Sequence, residues 1–430
     1  MGTLNCNLAR ALRCGASWGL AMCLGGCGSL VTLDAWLGSE NLEPHNGEEI
    51  AAAPPREFGD AETAQVAKQF ALMAVFAKVV YRKDLDDGVR KAQGCSYLEA
   101  GPLALDVGMP PAHDAPAGRG ETVSGWRRWD GKTAQERTVA VPCVDKDGLF
   151  METYVHFVHS KDGTGGETID KAVLAFRGTE NYRWSERLAD WRTNFSAALG
   201  FAPHEYTLAE QAAKAVVDAL HNQYPGVEVY ATGHSLGGGL AQQAGYLDAR
   251  IRAVYAFDTT PVTNWGNLQR RHNREGAACK KALLANPLPD PAAQDAALQA
   301  CKTVVIKNPD PTIYRVSHRN EGLAYVRAVT TRFNTTRRNR SDYGFFFEKD
   351  NPVAAHEMGI LACHLSYVMP DDDTVFDYPR AFAQQVISRD YGKEQGAHFS
   401  VHPVCPCDAV NLAGGLSACV QAGAAAPGSR

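Results

Sequence analysis

Residues 229–242 read "VYATGHSLGGGLAQ". The run from Val227 to Ala231 is apolar and β-branched, as in a buried strand, and "LGGGLAQQAGYLDA" after Ser235 is helix-forming. Between them Gly233, His234, Ser235, Leu236 and Gly237 spell G-x-S-x-G. The pattern by itself fits a glycine-rich turn as well as a nucleophile. Its place between strand and helix carries more weight. Such an elbow presents a serine hydroxyl at a sharp tip, and the helix N-terminus behind it favours developing negative charge. Cβ atoms at Gly233 and Gly237 would collide where strand and helix approach. The N–H of Leu236 is placed to act as an oxyanion donor.

On both sides of the elbow strands alternate with helices. "KAVLAFRGTE" contains a short apolar run, Ala172 to Phe176, closed by Arg177, Gly178 and Thr179. A helix is expected to open at Thr207, with Thr207 and Glu210 as a capping box. "IRAVYAFDTTP" and "PTIYRVSH" read as further strands. Upstream, "RTVAVPCV" and "LFMETYVHFVHS" flank the turn signal "DKDG" and suggest an antiparallel pair. Residues 100–135 carry Pro, Gly and Asp clusters and are expected to be an irregular surface excursion. A helix is expected from Ala61 to Tyr81, with Val66, Phe70, Met73, Ala74, Ala77 and Val80 on one side. The alternation implies a parallel α/β sheet. Taken with the nucleophile elbow, it is expected to be an α/β-hydrolase, a mostly parallel sheet flanked by helices, over residues 61–420. The polar, helix-prone stretch 265–310 interrupts the rhythm and is expected to be an insertion. Cys279 and Cys301 within it are the leading disulfide pair.

A serine needs a histidine base, and the base needs an acid that fixes its tautomer. Five blocks, "VLAFRGT", "DWRTNF", "GHSLGGGLA", "YAFDTTPV" and "YRVSHRNEGLAYV", resemble in order and spacing the class 3 lipase family, the fungal triacylglycerol lipase type, across roughly 150–370. The resemblance implies ester hydrolysis and a second oxyanion donor at Thr179. It implies an acid at Glu321, where the family has Asp; Asp258 is the rival, and the acids at 371–373 are a weaker one. It implies a base at His356, in a loop entering a helix, with His364 as the alternative. His234, beside the nucleophile, is not the base. Asp190, Trp191 and Asn194 are assigned to packing, and the basic run 332–340 to a solvated loop. His398, His402, Cys405 and Cys407 mimic a zinc site, but C-x-C is not a usual zinc pair and disulfides compete for the thiols. No metal or cofactor is expected.

The chain has 430 residues, 45% hydrophobic and 21% charged, enough for one large domain with insertions or for two domains. A formal charge of −5 argues against nucleic acid as the partner. Residues 1–26 start basic at Arg10 and Arg13, carry no acid and are rich in small apolar residues, as in a secretory signal. Leu24-Gly25-Gly26-Cys27 resembles the bacterial lipobox, which implies lipidation at Cys27. Gly28 and Ser29 after it lean towards an outer-membrane lipoprotein, facing the periplasm or the cell surface. Residues 27–60 then form a tether, and 421–430 a loose tail. The expected partners are a lipid or other ester substrate and a membrane surface reached through the anchor. The insertion 265–310 is a candidate lid, which predicts higher activity on aggregated than on monomeric esters. Two other functions share these residues: a small-ester esterase or acyltransferase, and a non-catalytic surface lipoprotein.

Overall fold

The computed structural model describes residues 60–81, 124–132, 137–138, 140–159, 167–178, 203–260, 264–318, 321–323, 340–345, 356–359, 361–362, 365 and 376. The expected signal, Cys27, nearly all of the tether and the tail 421–430 lie outside these residues.

In chain order the elements are α1 (Asp60–Val79), β1 (Ser124–Arg128), β2 (Val144–Lys146), β3 (Leu149–His159), β4 (Glu167–Phe176) and α2 (Pro203–Gln223). Then follow β5 (Glu228–His234), α3 (Leu236–Leu247), β6 (Ile251–Phe257), α4 (Trp265–Ala285), α5 (Pro291–Ala300), a 3₁₀ turn (Cys301–Thr303), β7 (Ile313–His318) and β8 (Arg340–Phe345). One eight-stranded sheet has the order β1-β3-β4-β5-β6-β7-β8, with β2 also paired to β3. The five strands from β4 to β8 are mutually parallel, and β1, β2 and β4 run antiparallel to β3. This is an α/β-hydrolase fold.

Both faces of the sheet are covered, so its central strands are apolar along their length. In β4, Val173 and Ala175 face one core cluster while Ala172, Leu174 and Phe176 face the other. Each step from β4 to β5 to β6 goes the same way, so one handedness of crossover puts α2 and α3 on the same face. The opposite face holds α1 together with Met358, Leu361, Leu365 and Phe376.

The expected helix 61–81 forms, but its one-sided pattern is corrected. Every residue from Phe70 to Val80 is buried, because "FALMAVFAKVV" is apolar on nearly all sides. Residues 100–135 are not wholly irregular: β1 lies in them, with Trp126 and Trp129 buried. The expected long antiparallel partner of β3 shrinks to β2, because Pro142 has no N–H for a ladder and instead accepts a bond from Thr153 Oγ1 at 2.9 Å through its carbonyl. Helix α2 opens at Pro203 and not at Thr207, since a proline at the first position surrenders no hydrogen bond. Strand β8 begins at Arg340, within the run expected to be a solvated loop; the aromatic stretch Tyr343 to Phe347 is the sequence signal for it.

The insertion 265–310 is present as α4, α5 and the 3₁₀ turn, joined by a Cys279–Cys301 disulfide with Cα atoms 5.6 Å apart. Cys143 is disulfide-bonded as well. The insertion is attached to the α2–α3 layer. Arg271 makes a two-pronged bond to Glu210, at 2.6 and 2.9 Å, and Leu268, Val305 and Ile306 enter the core on that face.

Candidate active site

The elbow is built as the sequence implies. Strand β5 ends at His234, α3 begins at Leu236, and Ser235 between them has φ 55° and ψ −123°. A non-glycine residue pays strain there, so the turn must be held by its surroundings. The Ser235 N–H donates to Phe257 O at 3.0 Å, and its carbonyl accepts from Gly238 N–H at 3.0 Å and Thr260 N–H at 3.2 Å. A Cβ at Gly233 would collide with the Gly237 carbonyl, and one at Gly237 with the carbonyl of Phe176. Leu236 is buried and is the first residue of α3, so its N–H belongs to the set that finds no partner within a helix.

Three sequence-distant residues meet at this tip. His356 Nε2 lies 3.2 Å from Ser235 Oγ, and His356 Nδ1 lies 2.7 Å from Glu321 Oε2. Glu321 is fully buried just past β7, and its Oε2 also accepts from Leu323 N–H at 2.7 Å. A carboxylate facing Nδ1 fixes the proton there and leaves Nε2 bare towards the serine. That arrangement can deprotonate a hydroxyl and stabilise the imidazolium that results.

Asp258, at the end of β6, is also fully buried and has φ 39°. Its Oδ1 accepts from the backbone N–H of His318 at 2.8 Å, and its Oδ2 lies 3.8 Å from His318 Nδ1. The rival acid is therefore engaged with the end of β7. Thr179, His364, Asp190, Trp191, Asn194, the acids at 371–373 and the His398–Cys407 group lie outside the described residues.

His234 points away from Ser235 Oγ. Its Nε2–H donates to the backbone carbonyl of His356 at 2.8 Å, and its Nδ1 accepts from Tyr81 Oη at 2.9 Å. Burial, reinforced by the nearby His356, holds its pKa well below the ordinary value, so the ring is neutral. Tyr81 has no sequence signal at all; it stands 153 residues from His234. Among the described residues, His234, Asp258 and His356 offer ligand atoms within 4.8 Å of one another, a spacing that could hold a metal ion. Both nitrogens of each histidine already face hydrogen-bond partners, and the donor set fits those bonds better than a cation.

A family model described as a Tle-like phospholipase domain matches residues 112–256, which include the strand ending in "FRG" and the serine elbow. No curated protein sequence matches the chain. Solved structures similar to it include acetyl xylan esterase 1 from Thermoanaerobacterium sp. JW/SL YS485, at 11% identity and TM-score 0.24, covering 62% of this chain and 90% of that one. The esterase PF2001 of Pyrococcus furiosus is 14% identical with TM-score 0.23, over 50% of this chain and 84% of its own. An acetyl xylan esterase from Paenibacillus sp. R4 is 12% identical with TM-score 0.26, over 68% and 98%. Fold and elbow define an α/β-hydrolase. With the phospholipase-like match over residues 112–256, the chain is a carboxylic ester hydrolase.

Proposed function

We propose that the chain is a serine hydrolase of lipid esters, phospholipids foremost, working through Ser235, His356 and Glu321. His356 Nε2 takes the Ser235 proton as Oγ attacks the ester carbonyl carbon. The Leu236 N–H and Thr179 hold the oxyanion. The tetrahedral adduct collapses, the C–O bond to the alcohol breaks, and His356 returns the proton to the leaving oxygen. Water, deprotonated by the same imidazole, then attacks the acyl-serine and releases the acid. Glu321 keeps His356 in the required tautomer and stabilises its charged form.

The observation that carries this reading is the hydrogen-bonded line from Glu321 through His356 to Ser235, at 2.7 and 3.2 Å. The Tle-like phospholipase match supports the phospholipid preference. The narrower likeness to class 3 lipases rests on the five sequence blocks. Lipidation at Cys27 would hold the enzyme at the outer membrane, next to such substrates. A fluorophosphonate probe is expected to label the wild type and not Ser235→Ala. A folded wild type that stays unlabelled sinks the serine mechanism. Faster turnover of triacylglycerol emulsions than of phospholipid vesicles sinks the substrate preference.

A further inference from the structure

His234 and Tyr81 touch no reacting atom in the scheme above, yet both are built into the centre of the site. The Gly178 N–H donates to Tyr81 Oη at 2.9 Å. Tyr81 Oη donates to His234 Nδ1 at 2.9 Å, and His234 Nε2–H donates to the His356 carbonyl at 2.8 Å. The direction of this relay is set by its end: a carbonyl can only accept, so Nε2 carries the proton and Nδ1 is left to receive the tyrosine hydroxyl. Gly178 is also pressed on the elbow, where an added Cβ would fall 2.6 Å from His234 O and 3.1 Å from Ser235 Cβ. Three segments remote in sequence, at 81, 178 and 356, therefore converge through one chain of bonds on the residue before Ser235.

We infer that Tyr81 and His234 are positioning residues: they brace the turn leading to the oxyanion donor against the backbone of the base, across the nucleophile. The inference rests on the triad reading of Ser235, His356 and Glu321. Its physical basis is the narrow tolerance of acyl transfer. Oγ, Nε2 and the oxyanion donors must hold their relative positions to well under about 1 Å, and the nucleophile and the base come from segments 121 positions apart. Glu321 orients the His356 ring from one side; the brace fixes the backbone that carries the ring. Burial keeps His234 neutral, so Nδ1 remains an acceptor for Tyr81 through neutral and mildly acidic pH.

The test uses the full chain, a soluble short-chain nitrophenyl ester and the rate of fluorophosphonate labelling, with a thermal melt for each variant. Tyr81→Phe is expected to lower kcat and the labelling rate about tenfold while KM stays within about twofold. His234→Gln keeps most of the rate, because its amide can donate to the His356 carbonyl and accept from Tyr81. His234→Leu falls as far as Tyr81→Phe, and the double variant falls no further than the worse single one. If His234→Leu does not fold, the contrast between Tyr81→Phe and His234→Gln decides. A wild type that labels beside a Tyr81→Phe that labels equally fast overturns the brace alone, as does strict additivity in the double variant. A folded wild type that never labels overturns the triad and the brace together.

Discussion

Two buried carboxylates stand at the ends of neighbouring strands, and their hydrogen bonds divide the labour between them. Glu321 faces the His356 ring at 2.7 Å, whereas Asp258 Oδ1 holds the backbone N–H of His318, where β7 ends. The extra methylene of Glu321 is taken up locally, since the same oxygen that meets the ring also closes a turn onto Leu323 N–H. Glu321→Gln is expected to lower kcat on a soluble ester about a thousandfold, because a neutral amide neither fixes the tautomer nor stabilises imidazolium. Asp258→Asn keeps an oxygen for His318 N–H and should cost less than about tenfold. The reverse order of effects would move the acid role to Asp258.

At the scale of elements, α1 matters more than its distance from the elbow suggests. It runs through the core on the face away from α2 and α3, and its Met73 carbonyl accepts from Thr232 Oγ1, in the strand that ends at the elbow, at 3.1 Å. Phe76 on this helix stacks on Tyr154 at 4.6 Å and tilts against Trp126 at 5.2 Å. Phe76→Ala is expected to destabilise the fold by about 4 kcal/mol, from lost burial plus the cavity left behind, as read from denaturant unfolding. The same reasoning bears on the insertion 265–310. Swinging it as a lid would withdraw Leu268, Val305 and Ile306 from the core, at about 1.5–3 kcal/mol each, and break Arg271–Glu210. It is better described as a fixed outer layer, and activity that rises sharply at the micellar threshold would contradict that description.

For the whole molecule, three histidines among the described residues make stability sensitive to mild acid. Burial lowers the pKa of His234, His221 and His272 in the folded state. Their folded values lie below the unfolded value of about 6.5, so between the two the unfolded chain binds more protons than the folded one. Stability therefore rises with pH in that window and is lost as pH falls through about 6.5 towards the depressed folded values. Glu205, whose pKa burial raises, works in the opposite direction nearer its own lower range. Melting temperature should drop between pH 7.5 and 5.5, and a flat profile there would show that these rings are not neutral in the fold.

Much of this site was legible from local pattern. Strand, elbow and helix around Ser235 follow from a β-branched run, two glycines and a helix-forming run, all governed by residues adjacent in the chain. The order serine, acid, histidine comes from the resemblance to class 3 lipases, and the pairing Cys279–Cys301 from both cysteines lying in the one insertion. Strand β1 lies among Pro, Gly and Asp clusters and β8 opens at the end of a basic run, so neither stands out by alternation. The burial of Phe70 to Val80 on every side became apparent only once the sheet and Phe376 packed against them. Glu321, Asp258, His234 and Tyr81 depended on more than pattern. Backbone preference is set by near neighbours, but which carboxylate reaches an imidazole depends on parallel strand register, loop path and packing between residues as far as 153 positions apart.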